Sequence, residues 1–379
     1  MISLDDFHQR VTLRQLYAVT QRACLPSEIA FRAVGLHAAR RKTPHMTLVG
    51  RLAFVGTQAS LTPPDRCPLV KAPFMRSTLH YVLEDEFAEL HCATLEYRIA
   101  RRHRSLRRLG FDDDAIQALR LNFIDLVPQR EVSEEELFDL GRKVLYHVGT
   151  PWRGVSDAHV AWQLCRLMWD NGDIRMTNTA SSWRDEQRCF RGSASPRVEQ
   201  RYAVNHLILR YVAAYGPVSL KDIGWWSALS AKLLRSSLDD LLAMEKIVVI
   251  NIAGRTLYAT HDELRPAVIE PTDIDPVYLA YEDPFIKAYF DTRDRYASPY
   301  ALSRLFHSTG EAKACVLIHG RVRGVWEAAP QGESALLTLC PALRRAERER
   351  AIEMWEKHLS ALYEADPHRA VTLDTQSYQ

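Results

Sequence analysis

The segment from Arg197 to Thr260 constrains the fold more than any other, because helix signals are followed there by a hairpin signal. Between Arg201 and Tyr215 the apolar residues recur at steps of three and four, as the buried face of a helix requires. Gly216-Pro217 ends this helix, because proline cannot continue it. Ser219 then begins a second helix, with Asp222 three residues on as its partner in a variant of the capping box.

A third helix and a hairpin complete this segment. Leucines at three- and four-residue spacing predict a helix over Ala231 to Met244, with its polar residues on the outward side. Two β-branched runs, Ile247 to Ile252 and Arg255 to Ala259, flank Ala253-Gly254 and predict a hairpin. Three helices followed by a hairpin predict a winged helix.

The preceding residues repeat this plan with weaker signals. A helix from Glu134 to Val148 is followed by a helix over Ala158 to Trp169. After Asn171-Gly172 a strand from Asp173 to Met176 should pair with Arg188 to Phe190. These elements predict a second winged helix.

The first hundred residues are compatible with a third winged helix. Helices are predicted at Leu13 to Arg22, Ser27 to Val34 and Met46 to Phe54, and a strand is predicted at Arg76 to Leu83. On that strand Arg76, Thr78 and His80 would alternate and point the same way.

After Pro271 the sequence changes to short apolar runs separated by turns. The runs at Val277 to Tyr281, Ala314 to His319 and Arg321 to Trp326 predict a small β-rich domain, and Ala342 to Glu364 favours one long helix. The predicted fold class is therefore mainly α with small β hairpins, in which tandem winged-helix modules precede a small β-rich, barrel-like domain. The expected boundaries are an N-terminal winged-helix-like module with a candidate cleft at 1–130, winged helices at 131–196 and 197–265, the β-rich domain at 266–335, and a C-terminal helix and tail at 336–379.

Composition and motifs narrow the function classes. The net charge is only +2, so a polyanionic partner must be argued from local patches. The start lacks the basic flank and apolar run of a signal peptide, no run of 18 apolar residues follows, and the seven cysteines are scattered. A cytoplasmic protein without disulfides, zinc or membrane contact is expected. Walker, dinucleotide-binding, nucleophile-elbow and zinc-protease motifs are absent from the sequence, so no cofactor is expected.

Several strings resemble signatures of the AlkZ-like family of DNA glycosylases, which excise bulky alkylated or cross-linked purines. They occur in family order between Gly35 and Trp326. The strings are Met75-Arg76-Ser77-Thr78-Leu79-His80 with Asp85, Tyr211 to Ser219, Asp222-Ile223-Gly224-Trp225-Trp226, Tyr281-Glu282-Asp283-Pro284 with Asp291-Thr292-Arg293, and His319 to Trp326. The resemblance implies tandem winged helices followed by a small β-barrel, in agreement with the prediction from the elements.

The resemblance also locates a catalytic motif. In the family, Gln-x-Gln or Gln-x-Asp follows a Gly-Leu, with His sometimes at the first position; here Gly35-Leu36 is followed by His37-Ala38-Ala39. His37 fits the first position, whereas Ala39 departs from the family. Ala39 offers neither a lone pair nor a proton, so His37 is the candidate catalytic residue that orients or deprotonates water. The alternative is that His37 is a helix-end histidine without a chemical role.

Four further residues are implied to line the cleft near His37. Leu48 to Leu52 resembles the family's Leu-Trp-Ala-Arg-Leu, and Arg51 stands at the arginine position of this string. Arg76, Thr78 and His80 belong to the string that resembles the family. They alternatively form a buried polar network that fixes the fold.

Basic residues supply the candidate nucleic-acid contacts. The densest run extends from Arg101 to Arg108, and other basic residues lie in the predicted wings and on the outward face of the third helix. Alternatively they are solvated surface charges, or the helix is a scaffold for protein contacts. The candidates are Arg101, Arg102, Arg104, Arg107, Arg108, Arg184, Arg188, Lys232, Arg235 and Arg255.

Three functions remain open. The first is a DNA glycosylase for alkylated purines, which could serve in self-resistance to a genotoxic natural product. The second is an aminoacyl-tRNA-dependent transferase of natural-product biosynthesis with the same fold. The third is a non-catalytic DNA-binding protein. The expected partner is nucleic acid, DNA or tRNA.

Overall fold

A computed structural model describes residues 3–17, 26–52, 63–148, 154–265, 276–328 and 335–363. These residues are mainly α-helical with small antiparallel sheets, as the sequence predicts. The helices are α1 Leu4–Thr12, α2 Pro26–Arg32, α3 Thr43–Leu52, α4 Phe87–Arg107, α5 Asp113–Leu126, α6 Glu134–Val148, α7 Asp157–Asn171, α8 Gln200–Tyr215, α9 Leu220–Ser227, α10 Ala231–Ala243, α11 Pro284–Lys287, α12 Pro299–Leu305 and α13 Arg345–Tyr363. The strands are β1 Leu36–His37, β2 Leu69–Pro73, β3 Leu79–Leu83, β4 Val132–Ser133, β5 Ile174–Asn178, β6 Arg188–Gly192, β7 Val248–Ile252, β8 Arg255–Ala259, β9 Val277–Leu279, β10 Cys315–Ile318, β11 Arg321–Ala328 and β12 Ala335–Leu339.

The chain forms two compact units. The first, here called unit A, comprises residues 1–62, 209–226 and 241–379, and the second, unit B, comprises residues 63–208 and 227–240. Within the described residues no helix is long and apolar enough to cross a membrane.

In unit B, strands β3, β2, β5, β6 and β4 lie side by side in that order, and each pair is antiparallel. The predicted pairing of β5 with β6 is confirmed, with Met176 opposite Phe190. The turn at Asn171-Gly172 is also confirmed, because Gly172 has a φ of 79° and ends α7 in the left-handed conformation. Helices α4, α5, α6 and α7 pack on one another around this sheet.

The strand predicted from Arg76 to Leu83 is wrong at its start. Strand β2 pairs with β3 so that Pro73 lies opposite Leu79, and the residues between them must therefore reverse the chain. They do so with an amide–carbonyl bond from Phe74 to Thr78 of 2.9 Å and a left-handed Arg76, whose φ is 54°. Arg76, Thr78 and His80 consequently do not alternate along one strand.

In unit A, strands β12, β11, β10 and β9 form a four-stranded antiparallel sheet. Helix α13, which the sequence predicts with slightly wider bounds, packs against it, and Trp355 and Trp326 are buried together at a centroid distance of 5.5 Å. The hairpin predicted across Gly320 is confirmed as β10 and β11, with Ile318 opposite Arg321.

The order of elements predicted between Arg197 and Thr260 is also confirmed. Helices α8, α9 and α10 are followed by the hairpin of β7 and β8, with Ala253 and Gly254 both at positive φ in its turn. Ser219 and Asp222 form the expected reciprocal cap, with hydrogen bonds of 3.0 and 3.1 Å. The N-terminal helices are predicted only in part: residues 18–22 and 53–54 lie outside the described residues, and Leu13–Tyr17 is a π-helical turn.

Gly50 lets α3 lie directly against β9. A Cβ atom at this position would be 2.3 Å from the carbonyl oxygen of Tyr278, which is part of the backbone and cannot rotate away. We expect Gly50→Ala to lower the free energy of unfolding by about 1–3 kcal/mol, because the helix must move off the sheet. Ser236→Ala on the exposed side of α10 is the control and should change it by less than about 0.5 kcal/mol. Equal stability of both variants in urea denaturation would show that α3 does not depend on this close approach.

Candidate active site

His37 follows a tight reversal of the chain in unit A. After α2, Val34 and Gly35 both have positive φ, 52° and 103°, and the amide of Gly35 donates to the carbonyl of Ala30 at 2.8 Å. Tyr215 fixes the same turn, because its hydroxyl donates to the carbonyl of Ala33 at 2.8 Å. The reversal carries the chain into β1, where His37 is only 4 % exposed.

Glu282 is a charged side chain that faces His37. Its Oε2 atom lies 3.8 Å from Nε2 of His37, and both side chains are buried. Its other oxygen, Oε1, accepts a hydrogen bond from the amide of Ala312 and lies 3.0 Å from Nζ of Lys287. Lys287 also donates to the carbonyl of Gly310 at 2.9 Å, which fixes its position. Oε1 of Glu282 is therefore held by Ala312 and Lys287, while Oε2 lies toward the imidazole of His37.

This geometry permits acid–base chemistry. The distance of 3.8 Å is too long for a hydrogen bond but still within the 4 Å range of an ion pair. Because both groups are buried, their attraction is screened less than it would be in water. Glu282 can therefore stabilise an imidazolium that forms when His37 accepts a proton.

The backbone next to Glu282 is fixed by a buried ion pair. Arg51 of α3 donates from both terminal nitrogens to the two carboxylate oxygens of Asp283, each at 2.8 Å, and both side chains are almost fully buried. Arg51 also donates to the carbonyl of Thr47 at 3.2 Å, and Asp283 accepts from the amide of Phe285 at 2.9 Å at the start of α11. Arg51 thus positions the segment that carries Glu282.

The other motif positions differ in exposure. Ala38 is buried, whereas Ala39 and Arg40 are exposed. The guanidinium of Arg40 lies over the ring of Tyr281, 3.6 Å from its centroid. Burial and a hydrogen bond to Glu311 raise the pKa of Tyr281, so its hydroxyl stays protonated at neutral pH.

The remaining cleft candidates lie in unit B. His80 is buried and hydrogen-bonded through Nδ1 to the carbonyl of Thr78 at 3.0 Å. Burial and the nearby Arg76 lower the pKa of His80 to about 3, so it is neutral at physiological pH. Thr78 donates to the carbonyl of Met75 at 2.9 Å and closes the turn before β3. That these three residues line a cleft with His37 stays a prediction.

Several of the candidate nucleic-acid contacts are already paired with acidic groups. Arg102 donates to Asp170 at 2.9 Å and to Gln163 and is largely buried. Arg107 pairs with Asp113, Arg188 with Glu134 and Glu186, and Arg255 with Asp294.

Other candidates are open to solvent. Arg101, Arg104, Arg108, Lys232 and Arg235 are exposed, and Arg184 is half-buried. Arg101 donates to the carbonyl of Arg76 at 3.0 Å. The exposure of Lys232 and Arg235 agrees with the outward face predicted for α10.

Among the described residues no group of three histidine, cysteine, aspartate or glutamate side chains is arranged to hold a metal ion.

Comparisons with known proteins identify the family. The model of the family described as DNA glycosylase AlkZ-like matches residues 31–360. The chain belongs to the AlkZ-like family of DNA glycosylases. No curated protein matches it significantly. Among solved structures it is similar to the DNA glycosylase AlkZ of Streptomyces sahachiroi, with a TM-score of 0.79, 17 % identity and 99 % of each chain covered. This structural likeness shows a shared fold.

The sequence of this AlkZ-like protein predicts His37 as a site residue but does not predict the side chains around it. Glu282 and Asp283 belong to a string that resembles the family but carry no predicted role, and no sequence pattern predicts a role for Lys287. One local feature of the sequence indicates that these residues are special. Two adjacent carboxylates and a lysine interrupt an otherwise apolar run from Val277 to Phe290. Buried charges need partners, and this requirement could have drawn attention to the run.

The ion pair between Arg51 and Asp283 should dominate the stability of the site. We expect Asp283→Asn to lower the free energy of unfolding by about 3–5 kcal/mol, because it leaves the buried guanidinium without its counter-charge. The paired variant Arg51→Met with Asp283→Leu removes both charges and should restore part of this loss. Chemical denaturation of the variants checks both expectations. A loss below about 1 kcal/mol for Asp283→Asn would contradict the role of the pair.

Proposed function

We propose that this AlkZ-like protein is a DNA glycosylase that hydrolyses the N-glycosidic bond of alkylated purines with His37 as general base and Glu282 as its charge partner. The observation that carries the proposal is the 3.8 Å approach of Glu282 to His37, at the motif position where the family places its first catalytic side chain. Ala39 occupies the second motif position, and its side chain cannot accept a proton or a hydrogen bond. The carboxylate of Glu282 beside the imidazole provides a negative charge that Ala39 lacks.

The reaction balances with these residues alone. An N7-alkylated purine carries a positive charge, so the bond between its N9 atom and C1′ breaks with the electron pair leaving on the base. Water adds to C1′ and gives its proton to His37, and Glu282 stabilises the resulting imidazolium. The products are the free base and an abasic sugar. The nucleotide must leave the base stack for water to reach it.

The helix–hairpin arrangements support DNA as the substrate. We infer that α8 to α10 with the β7–β8 hairpin, and α6 and α7 with the β5–β6 hairpin, act as winged helices, and that the β9 to β12 sheet belongs to a small barrel-like domain. The exposed Lys232 and Arg235 on α10, with Arg104 and Arg108 on and after α4, are then the first candidates for contacts with the DNA backbone.

The first test removes the proposed base and its charge partner. We expect His37→Ala to lower the release of 7-methylguanine from a duplex by about 10²- to 10⁴-fold, with little change in duplex affinity. Glu282→Gln keeps an oxygen that can accept from the amide of Ala312 but loses the negative charge. It should lower base release less than His37→Ala does. The control is Glu327→Gln, an exposed carboxylate of the same unit. Released base is measured by chromatography in single-turnover reactions.

The outcomes separate the candidate functions. Base release that is unchanged in His37→Ala removes this residue from the mechanism. Duplex binding without base release by the wild-type protein indicates a non-catalytic DNA-binding protein. Transfer from charged tRNA in a parallel assay, without base release, indicates a transferase.

The second test restores the family's missing acceptor. Because Ala39 is exposed, a glutamine there can be accommodated without displacing buried atoms. We expect Ala39→Gln to raise base release, by up to about 10²-fold, because a second acceptor would help to hold the water. Ala39→Met has a similar volume without an amide and should leave the rate near that of the wild type. Equal rates for both variants would show that position 39 does not contact the water in this protein.

A further inference from the structure

Arginine side chains crowd around one carboxylate in unit B. Arg102 of α4 donates to Oδ2 of Asp170 at 2.9 Å, and Arg98, one helical turn earlier, donates to the backbone carbonyl of Asp170. Arg166 of α7 is attracted to the same carboxylate. Asp170 is 1 % exposed and Arg98 is fully buried, so neither charge is compensated by bulk water. One guanidinium group therefore hydrogen-bonds to this carboxylate, and two others lie within reach of its charge.

More positive charge surrounds Arg166. Burial lowers the pKa of Arg166, and repulsion from Arg102, Arg188 and Arg101 lowers it further. Of these, Arg188 has its own counter-charges, at 2.9 Å in Glu134 and at 2.8 Å in Glu186. Arg101 instead donates to a neutral backbone carbonyl. The arginines near Arg166 thus exceed the carboxylates that the described residues bring to them.

Buried donors at this place lack acceptors. Nε of Arg166 is buried without a hydrogen-bond partner, and so is Nε1 of Trp169, whose side chain is 5 % exposed. Within the described part of the chain Arg166 forms no ion pair. A buried donor without an acceptor costs free energy, and an anion is the kind of ligand that would compensate both the donors and the charge.

An exposed aromatic ring adjoins Arg166. Trp162, one helical turn earlier on α7, is 48 % exposed, and the guanidinium of Arg166 lies 5.5 Å from its ring centroid. The same guanidinium lies 5.8 Å from the ring centroid of Trp169. Both distances are within the range of cation–π contacts, which hold a guanidinium near aromatic rings while its N–H groups can still donate to oxygen.

We propose that Arg166, together with Arg101, forms a phosphate site that binds a phosphodiester of nucleic acid, with the exposed ring of Trp162 against the neighbouring nucleotide. The planar guanidinium fork matches two oxygens of a phosphate, and the like charges around it are relieved when the anion binds. That the phosphate belongs to nucleic acid rests on the proposed function. The anion site itself rests on the arginines and their burial.

The first experiment uses inorganic phosphate and thermal unfolding. Phosphate, compared with chloride at equal ionic strength, should raise the Tm of the wild type and should raise that of Arg166→Gln at most half as much. Without phosphate, Arg166→Gln should be no less stable than the wild type, because a repelled charge has been removed. The control is Arg142→Gln on the neighbouring helix α6, an exposed arginine that pairs with Asp139. Equal phosphate shifts in all three proteins would overturn the anion site.

The second experiment measures binding of an undamaged duplex at several salt concentrations, so that catalysis plays no part. Arg166→Gln should lower the slope of log affinity against log salt by about one unit, and Arg142→Gln should leave it unchanged. Arg166→Lys keeps the charge and should retain the wild-type slope, which separates loss of charge from loss of structure. Trp162→Ala should weaken binding of a single-stranded oligonucleotide about tenfold, because a base can stack on the ring only when it is unpaired.

The two experiments distinguish the sources of the phosphate. Stabilisation by inorganic phosphate together with a wild-type salt slope for Arg166→Gln would overturn nucleic acid as the ligand. A lowered slope in Arg166→Lys as large as that in Arg166→Gln would overturn the electrostatic role. Failure of base release, by contrast, affects the proposed enzymatic function and leaves these binding results unchanged.

Discussion

The buried pair of Arg51 and Asp283 is the interaction on which the candidate site depends. It joins helix α3 to the segment between β9 and α11 by two hydrogen bonds of 2.8 Å between almost fully buried side chains. A charge buried in this way is tolerated only when its partner is in place, so the pair fixes the backbone on both sides. Glu282 is the residue next to Asp283, and its direction toward His37 follows from this constraint.

A second buried carboxylate organises the same unit. Asp222 closes the cap of α9 with Ser219 and also accepts hydrogen bonds from the amides of Phe290, Asp291 and Thr292 and from the hydroxyl of Thr292. The carboxylate of Asp222 therefore accepts the hydrogen bonds of loop amides that would otherwise need backbone carbonyls as acceptors. Fully satisfied polar networks of this kind specify one arrangement of the chain, which an apolar core of similar volume specifies less strictly.

The parts of the fold that the sequence predicts are those set by neighbouring residues. The cap at Ser219, the turn at Ala253-Gly254 and the left-handed Gly172 each depend on chemistry within four residues, and each is present. The strand start before Leu79 was wrong because it is set by the pairing of β3 with β2. Propensity cannot reveal such a register.

The candidate site could be predicted only in part for a related reason. The family motif located His37, but its approach to Glu282 joins residues that are far apart in the sequence and share no periodic pattern. The arginines pose the same difficulty. The run from Arg101 to Arg108 is visible as charge, yet Arg102 is largely buried against Asp170 whereas Arg104 is exposed. Net charge and spacing do not show which cations are neutralised inside the fold.

The arrangement at Glu282 suits the order of events in the proposed reaction. With His37 neutral, Lys287 and Glu282 cancel each other's charge, so the group does not repel a cationic purine. As the base departs, positive charge passes to the sugar and then, with the proton of the attacking water, to His37. An imidazole that already held a proton would oppose the first of these steps. Because Oε2 of Glu282 lies 3.8 Å from the ring nitrogen, it is close enough to stabilise the imidazolium once it forms but too far to bind its proton in a hydrogen bond beforehand. The carboxylate can therefore stabilise the imidazolium that forms when the attacking water gives its proton to His37.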